Sequence, residues 1–285
     1  MPIITNNDFK AIEYLAIGHI TQDLTNTGTR IGGTVTFSGL TAKKMGLKVG
    51  IVSSCNPVID TTELEDIQIS ILPSENCTTF RNIPSPSGRI QYLYHTGALL
   101  TEIAIPEVWK STPIVHLGPI FNEIDPQIVD AFPDSLIFIT PQGWLREVDE
   151  TGKIHPKKWN LPKSIVNRAS AIIISNEDVQ NDEDQIMELA QQSSILIVTE
   201  NNLGARIYWN GDVRRFSSPE VQVVEDTGAG DIFAAAFICR FVATNDPWEA
   251  TRFAVSIAAN SVTRSYLSSI PTLAEISSAL IDIVK

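Results

Sequence analysis

Cysteine is scarce in this chain: Cys55, Cys77 and Cys239 are the three thiols among 285 residues. They are odd in number, far apart and form no C-x-x-C pair, so zinc-ribbon and dithiol redox chemistry are not expected. Their expected role is packing in a reducing compartment. Positive charge is also in deficit, with 21 Lys and Arg against 33 Asp and Glu, a net charge of −12. Nucleic acids and anionic membranes require concentrated cationic surface, so neither is an expected partner. No apolar run approaches the ~20 residues of a membrane span. The polar stretch Met1 to Lys10 and the short apolar stretch Tyr14 to Ile17 do not read as a signal peptide, and the expected location is the cytoplasm. No Gly-x-Gly-x-x-Gly follows the first strand, which argues against a dinucleotide-dependent oxidoreductase. There is no repeat and no low-complexity tract.

What is present is a hydrophobic fraction of 43%, enough for a packed interior. The length allows one or two domains. Short apolar, β-branched runs alternate with longer helical patterns, the signature of a mostly parallel sheet flanked by helices. Strands are predicted near Tyr14–Ile17, Val49–Ser53, Ile114–Leu117, Leu136–Ile139, Ala171–Ile174 and Ile195–Thr199. Helices are predicted over Thr34–Met45, Pro126–Ala131, Asp182–Gln192, Ala229–Ala243, Pro247–Arg264 and Leu273–Val284, with Pro247 and Pro271 suited to first turns. Between Cys77 and Thr101 the period changes to two, and Pro84-Ser85-Pro86-Ser87-Gly88 separates two alternating runs as in a hairpin.

The stretch Thr227-Gly228-Ala229-Gly230-Asp231 opens the small, apolar helical run Ile232 to Phe237. Glycines let a backbone bend tightly and bring its amides close to an anion, and a helix start adds unpaired N–H groups and a positive dipole end. Asp231 in the first turn is then placed to accept the proton of an attacking hydroxyl while the Gly228, Ala229 and Gly230 amides hold the transferred phosphoryl group. The same residues also suit a plain tight turn with an acidic capping group. Context separates the two readings.

These residues resemble the nucleotide-site signature of the ribokinase-like carbohydrate kinases, which include ribokinase, B-type phosphofructokinases, adenosine kinases and inositol kinases. Gly18-His19-Ile20-Thr21-Gln22-Asp23 and Gly32-Gly33, ahead of the run ending at Met45-Gly46-Leu47, are similar to that family's acceptor-binding region. Ile195 to Thr199 followed by Gly204-Ala205 resembles its strand and turn under the nucleotide, and Pro247 to Tyr266 with Asn260 resembles the helix flanking the adenine. The resemblance runs from about residue 14 to about residue 275. It implies a single domain over 1–285, a three-layer α/β sandwich with a mostly parallel central sheet, and a small β lid from about 24–32 and 77–100 that closes over the acceptor. An edge hairpin without gating is the other reading of that lid.

The implied activity is transfer of a phosphoryl group from ATP, with Mg2+, to a hydroxyl of a small polyol: a sugar, a cyclitol such as inositol, or a nucleoside. The implied nucleotide-side residues are Asn176, Thr199, Gly204, Thr227 and Asn260; the acceptor-side ones are Asp23, Gly32 and Gly33. Three departures stand out. Glu225-Asp226 replaces an Asp and a small residue before the core. Phe37 stands where a sugar-binding Asn is usual, which favours a ring face over a simple pentose. The Asn-x-x-Glu metal element reads Asn176-Glu177-Asp178-Val179, leaving Glu177 or Asp178 as metal candidates, or a metal held mostly by phosphates and water. Gln142 and Arg146 follow a strand, where open α/β sheets place ligands; Arg146 could equally pair with Glu147 or Asp149. A K+ site beside the Asp226 loop is compatible with the resemblance, as is a monomer or a homodimer. The rival function is a non-catalytic nucleotide or metabolite sensor of the same fold.

Overall fold

The computed structural model describes residues 9–85, 88–158 and 162–281. Its centre is a nine-stranded sheet, and its alternating or wholly apolar strands explain why it is buried on both faces. Strand β1 (Tyr14–Ile17) lies in the middle of this sheet. The hairpin β2 (Thr21–Thr25) and β3 (Gly28–Gly32) follows, leading into helix α1 (Thr34–Lys44) and then β4 (Val49–Cys55) and β5 (Gln68–Pro73). A second hairpin, β6 (Thr79–Ser85) and β7 (Gly88–His95), precedes β8 (Ile114–Leu117) and β9 (Leu136–Ile139). The short ribbon β10 (Arg146–Val148) and β11 (Ile154–Pro156) and helix α2 (Lys163–Arg168) lead to β12 (Ala169–Ser175), α3 (Glu183–Gln192) and β13 (Ile195–Thr199). An edge hairpin, β14 (Ala205–Trp209) and β15 (Asp212–Phe216), is followed by α4 (Ala229–Thr244), α5 (Pro247–Ser261) and α6 (Leu273–Ala279).

The sheet order is β15-β14-β13-β12-β9-β8-β1-β4-β5, parallel from β13 to β5 and antiparallel in the final hairpin. Side-chain alternation divides the core into two faces. Tyr14 and Ala16 pack with α1, α4 and α5 residues such as Phe37, Phe237 and Phe253. Leu15 and Ile17 pack with Trp109, Phe132, Ile165 and Leu189 on the other side. This is the three-layer α/β architecture expected from the sequence.

Capping chemistry sets the helix starts. Asp246 accepts from the amides of Trp248 and Glu249 at 2.9 and 3.2 Å with Pro247 at the first position. Thr272 and Glu275 form a reciprocal capping box, so Pro271 sits just before the cap and not in the first turn. Pro126–Ala131 is a 3-10 helix, capped by Asp125. The last expected helix ends at Ala279: Leu280 caps it in an extended conformation and Ile281 is not helical, while residues 282–284 of the expected helix lie outside the described residues, as do Pro86 and Ser87 of the expected turn.

Beyond the carboxyl end of β1, the two hairpins join into one four-stranded sheet, order β3-β2-β6-β7. Its base is fastened by His19, whose Nε2–H donates to the Ala98 carbonyl at 2.9 Å while Nδ1 accepts from the Thr78 hydroxyl at 2.6 Å. Cys55 at the end of β4 is joined by a disulfide to Cys77 ahead of β6, with Cα atoms 4.1 Å apart. The expectation of three packing thiols is thus corrected for two of them, which the fold brings together across 22 residues of sequence. Cys239 is free, and burial pushes its thiol up to about 12, which makes it a poor nucleophile. Among the described residues no helix is long and apolar enough to cross a membrane.

Candidate active site

Strand order locates the site. From β1 the sheet grows through β4 and β5 in one direction and from β8 through β9, β12 and β13 in the other, so the order reverses between β1 and β8. A crevice opens at the carboxyl ends of strands at such a reversal. Gly18 and Gly118 end these two strands in such close contact that a Cβ on Gly18 would overlap the Gly118 carbonyl oxygen. The segments leaving them then part, one toward Thr21 and Asp23 and the other toward Ile120.

A cavity at this point is lined by Asp23, Gly33, Phe37, Gln142 and Arg146 together with Thr227, Gly228 and Asp231. Asp23 is 9% exposed and accepts from the Thr21 hydroxyl at 3.1 Å. Gly32 stands behind it: a Cβ there would lie 2.8 Å from Asp23 Oδ2. Gly33 has φ +88 and its missing Cβ faces the His19 carbonyl, so only glycine lets the chain turn from β3 into α1 at this spot. Thr21, within the stretch likened to an acceptor-binding region, and Phe80, Asn82, Gln91 and Ile120, which sequence reasoning missed, complete the wall. Asn82 and Gln91 face each other across β6 and β7, the Gln91 Nε2 donating to Asn82 Oδ1 at 2.8 Å. Alternation within the hairpin was the available signal, since both face one side of the ribbon.

Arg146 is buried, and the Asp149 carboxylate binds His155 at 2.8 Å. Arg146 Nη1 donates to the Ile120 carbonyl at 3.1 Å. Beside it, Asp178 accepts from the Gln142 amide at 3.2 Å and the Ser175 N–H at 2.9 Å. Loss of water pushes the Asp178 carboxyl above its ordinary value, against the pull of the Ser175 N–H, Arg146 and Gln142. Glu123, itself buried, accepts from the amides of His19, Ile120 and Phe121 and so fixes the segment that presents Ile120.

The residues expected to hold a phosphoryl group lie at the start of α4. Gly228 caps the helix in the left-handed region at φ +82, and a Cβ there would drive into the Phe37 ring. The Ala229 N–H donates to the Asp226 carbonyl at 3.1 Å, whereas the Gly228 and Gly230 amides make no backbone hydrogen bond among the described residues. Of the three amides expected to face a phosphoryl group, that of Ala229 thus already has a backbone partner. Gly230 faces open space.

The remaining candidates do not line this cavity. The Asn176 N–H donates to the Thr199 carbonyl at 2.9 Å and its side chain binds Asn181 at 2.7 Å. Gly204 has φ +98 and closes the turn into β14, and Asn260 lies on α5, accepting from the Thr263 hydroxyl at 2.7 Å. Glu177 is exposed and binds Asn201 Nδ2 at 2.8 Å. No cluster of three or more His, Cys, Asp or Glu able to hold a metal occurs among the described residues. With Asp178 turned to Gln142 and Glu177 to Asn201, this pair does not fit a protein-held metal site.

Beneath the cavity, the Tyr14 hydroxyl donates to His116 Nδ1 at 2.7 Å, and His116 Nε2 meets Thr140 Oγ1 at 3.0 Å, two residues before Gln142. Burial pushes the His116 pKa down to about 3, so the ring is neutral and this chain of hydrogen bonds is fixed near neutral pH. Below the ordinary value of ~6.5 the unfolded chain binds a proton that the native state refuses, so stability falls as pH drops from there toward 3. The slope attributable to His116 is expected to be about 1.4 kcal/mol per pH unit. Urea unfolding of wild type and His116→Gln between pH 6.5 and 4.5 measures it, and equal slopes would remove His116 as the cause.

Residues 164–273 match the family described as pfkB family carbohydrate kinase. Comparison with curated proteins gives no significant match. Among solved structures, a pyrophosphate-dependent kinase in the ribokinase family, complexed with a pyrophosphate analog and myo-inositol, superposes with a TM-score of 0.76 at 18% identity, covering 94% of this chain and 100% of that one. Ribokinase from Thermotoga maritima gives 0.74 at 18% identity, covering 94% and 99%. Arabidopsis thaliana ribokinase complexed with ribose and ATP gives 0.71 at 14% identity, covering 95% and 99%. The match to the pfkB carbohydrate kinases is thus confined to segment 164–273, and the fold of the chain is that of the ribokinase-like kinases.

Proposed function

We propose that this protein is a kinase transferring the terminal phosphoryl group of ATP to a hydroxyl of a neutral polyol, a cyclitol above all. The observation that carries this reading is that Asp231 and Gly228 open onto the same cavity as Asp23, Asn82, Gln91, Gln142 and Arg146. A general base and phosphoryl-binding amides then border a space lined by groups that recognise hydroxyls. The acceptor oxygen attacks the terminal phosphorus as its proton passes to Asp231. The new O–P bond forms, the bond to the bridging oxygen breaks, and ADP departs with that oxygen's charge. Mg2+ would be held by the donor phosphates and water, since Asp178 and Glu177 are turned to Gln142 and Asn201, and would offset phosphate charge.

Charge narrows the acceptor. Asp23 and Asp231 line the cavity with Arg146, whose charge also acts on the Asp178 carboxylate. The balance is negative, which disfavours an already phosphorylated sugar and favours an uncharged ring compound. Phe37 supplies an apolar wall. ATP and pyrophosphate present the same terminal phosphates to Gly228 and Gly230, so the donor must be tested directly.

The test is phosphoryl transfer from ATP, and separately from pyrophosphate, to a panel of inositols, hexoses, pentoses, nucleosides and sugar phosphates. A neutral cyclitol or sugar should be phosphorylated. ATP binding without transfer to any acceptor would leave the sensor reading. Within the kinase reading, Asp178→Asn is expected to raise the acceptor KM about tenfold, because Gln142 and Arg146 lose the group that orients them, while the donor KM stays near wild type. A raised donor KM with an unchanged acceptor KM would instead place Asp178 at the phosphates.

A further inference from the structure

We propose that Arg30 is a positioning residue: its guanidinium ties lid strand β3 to the loop carrying the phosphoryl cradle, so that acceptor wall and cradle are set as one unit. The catalytic consequence rests on the kinase reading above; the tie itself does not. Arg30 Nη2 donates to Glu225 Oε1 at 2.9 Å across 195 residues of sequence. Glu225 lies two residues before Thr227 and three before Gly228. On the other side, Arg30 is paired in register with Asp23 of β2, whose carboxylate borders the cavity. Neither Arg30 nor Glu225 lines that cavity, so an effect on turnover has to pass through position.

The pair is built into a third segment. The Arg30 guanidinium lies 4.8 Å over the Tyr266 ring, a cation–π contact. The Tyr266 amide donates to Glu225 Oε2 at 3.1 Å, and its hydroxyl lies 2.7 Å from the Glu63 carboxylate and 3.0 Å from the Ile31 carbonyl, the residue next to Arg30. Tyr266 holds φ +51, a left-handed conformation that is unfavourable for an aromatic residue and persists where surroundings enforce it. That conformation belongs to the turn whose amide faces Glu225. Tyr266 also meets the edge of Phe37, with ring centroids 6.4 Å apart, and Phe37 fills the space under Gly228. Burial pushes the Glu225 carboxyl up, but Arg30, Thr227 and the Tyr266 amide outweigh it and hold the group ionised, below the usual carboxylate range. Arg30 Nε is buried without a hydrogen-bond partner among the described residues, so the guanidinium is held by Glu225 and Tyr266, and its loss would leave Glu225 without its ion pair.

Amide hydrogen exchange on the whole protein tests the tie without relying on activity. Arg30→Ala and, from the other end, Glu225→Gln should each speed exchange in both Thr21–Gly32 and Glu225–Gly230, with exchange in the central sheet unchanged. With the acceptor found as above, Arg30→Ala should lower kcat about tenfold with a smaller change in KM, and Arg30→Lys should recover part of it. If Arg30→Ala fails to fold, Arg30→Lys and Glu225→Gln carry the exchange measurement. Faster exchange confined to the mutated side, or unchanged exchange on both sides, overturns the proposal. If the wild type transfers no phosphoryl group but both segments respond together, the tie stands and the kinase reading fails.

Discussion

Asp231→Asn is expected to lower kcat by about 10³-fold while leaving ATP affinity at or slightly above the wild-type value. General-base catalysis contributes on the order of 10²–10⁴ in rate, and the amide cannot accept the hydroxyl's proton. The substitution preserves size, and the turn beside it is held by other bonds: the Ile232 N–H donates to the Gly228 carbonyl at 2.9 Å and the Ala229 N–H to the Asp226 carbonyl at 3.1 Å. The Gly228 and Gly230 amides therefore keep their places. Removing a negative charge near incoming phosphates favours their binding, which is why affinity should not fall. Calorimetric titration with ATP and single-turnover rates separate the two quantities. Turnover within threefold of wild type would take Asp231 out of the mechanism, and a large loss of ATP affinity would mean that the side chain shapes the cradle.

The central strands were legible because each is a short apolar run bounded by turn residues: Ile114–Leu117, Leu136–Ile139 and Ile195–Thr199 have the expected bounds. The edge strands were not. Asp212–Phe216 is mostly exposed and carries Asp212, Arg214 and Arg215, so hydrophobicity could not announce it. Its signal was the two-residue turn Asn210-Gly211, with φ +51 and +76, which specifies a hairpin by itself. Gln68–Pro73 is half-buried at the opposite edge and alternates too weakly to register. Local chemistry was enough to place Gly228 and Asp231 at one helix start, where a glycine turn and an acid stand together. The partners of Asp178 were not legible, because Gln142 and Arg146 reach it from a different strand end and only the sheet order brings them together. The Cys55–Cys77 pairing escaped for the same reason.

Gly228→Ala combines a backbone effect with a packing effect, and both act on the cradle. At φ +82 and ψ −4, a residue with a Cβ pays about 1–2 kcal/mol for the left-handed conformation. The added methyl would also sit 2.6 Å from Phe37 Cε1 and Cγ, well inside van der Waals contact. Phe37 is 2% exposed and its ring meets Tyr266, so it has little room to retreat. The turn must move instead, carrying the Gly228 amide off its line. Losing one preorganised donor to a developing oxyanion costs about 10²–10³ in kcat, and the folded state should lose about 2–4 kcal/mol. Phe37→Leu in the same chain relieves the collision but not the backbone cost. Urea unfolding of both single variants and the double should therefore show a favourable coupling of about 1 kcal/mol or more, with kcat only partly restored. Strict additivity would mean that Phe37 does not support the turn, and a Gly228→Ala enzyme with full activity would show that the amide at this position does not hold the transferred group.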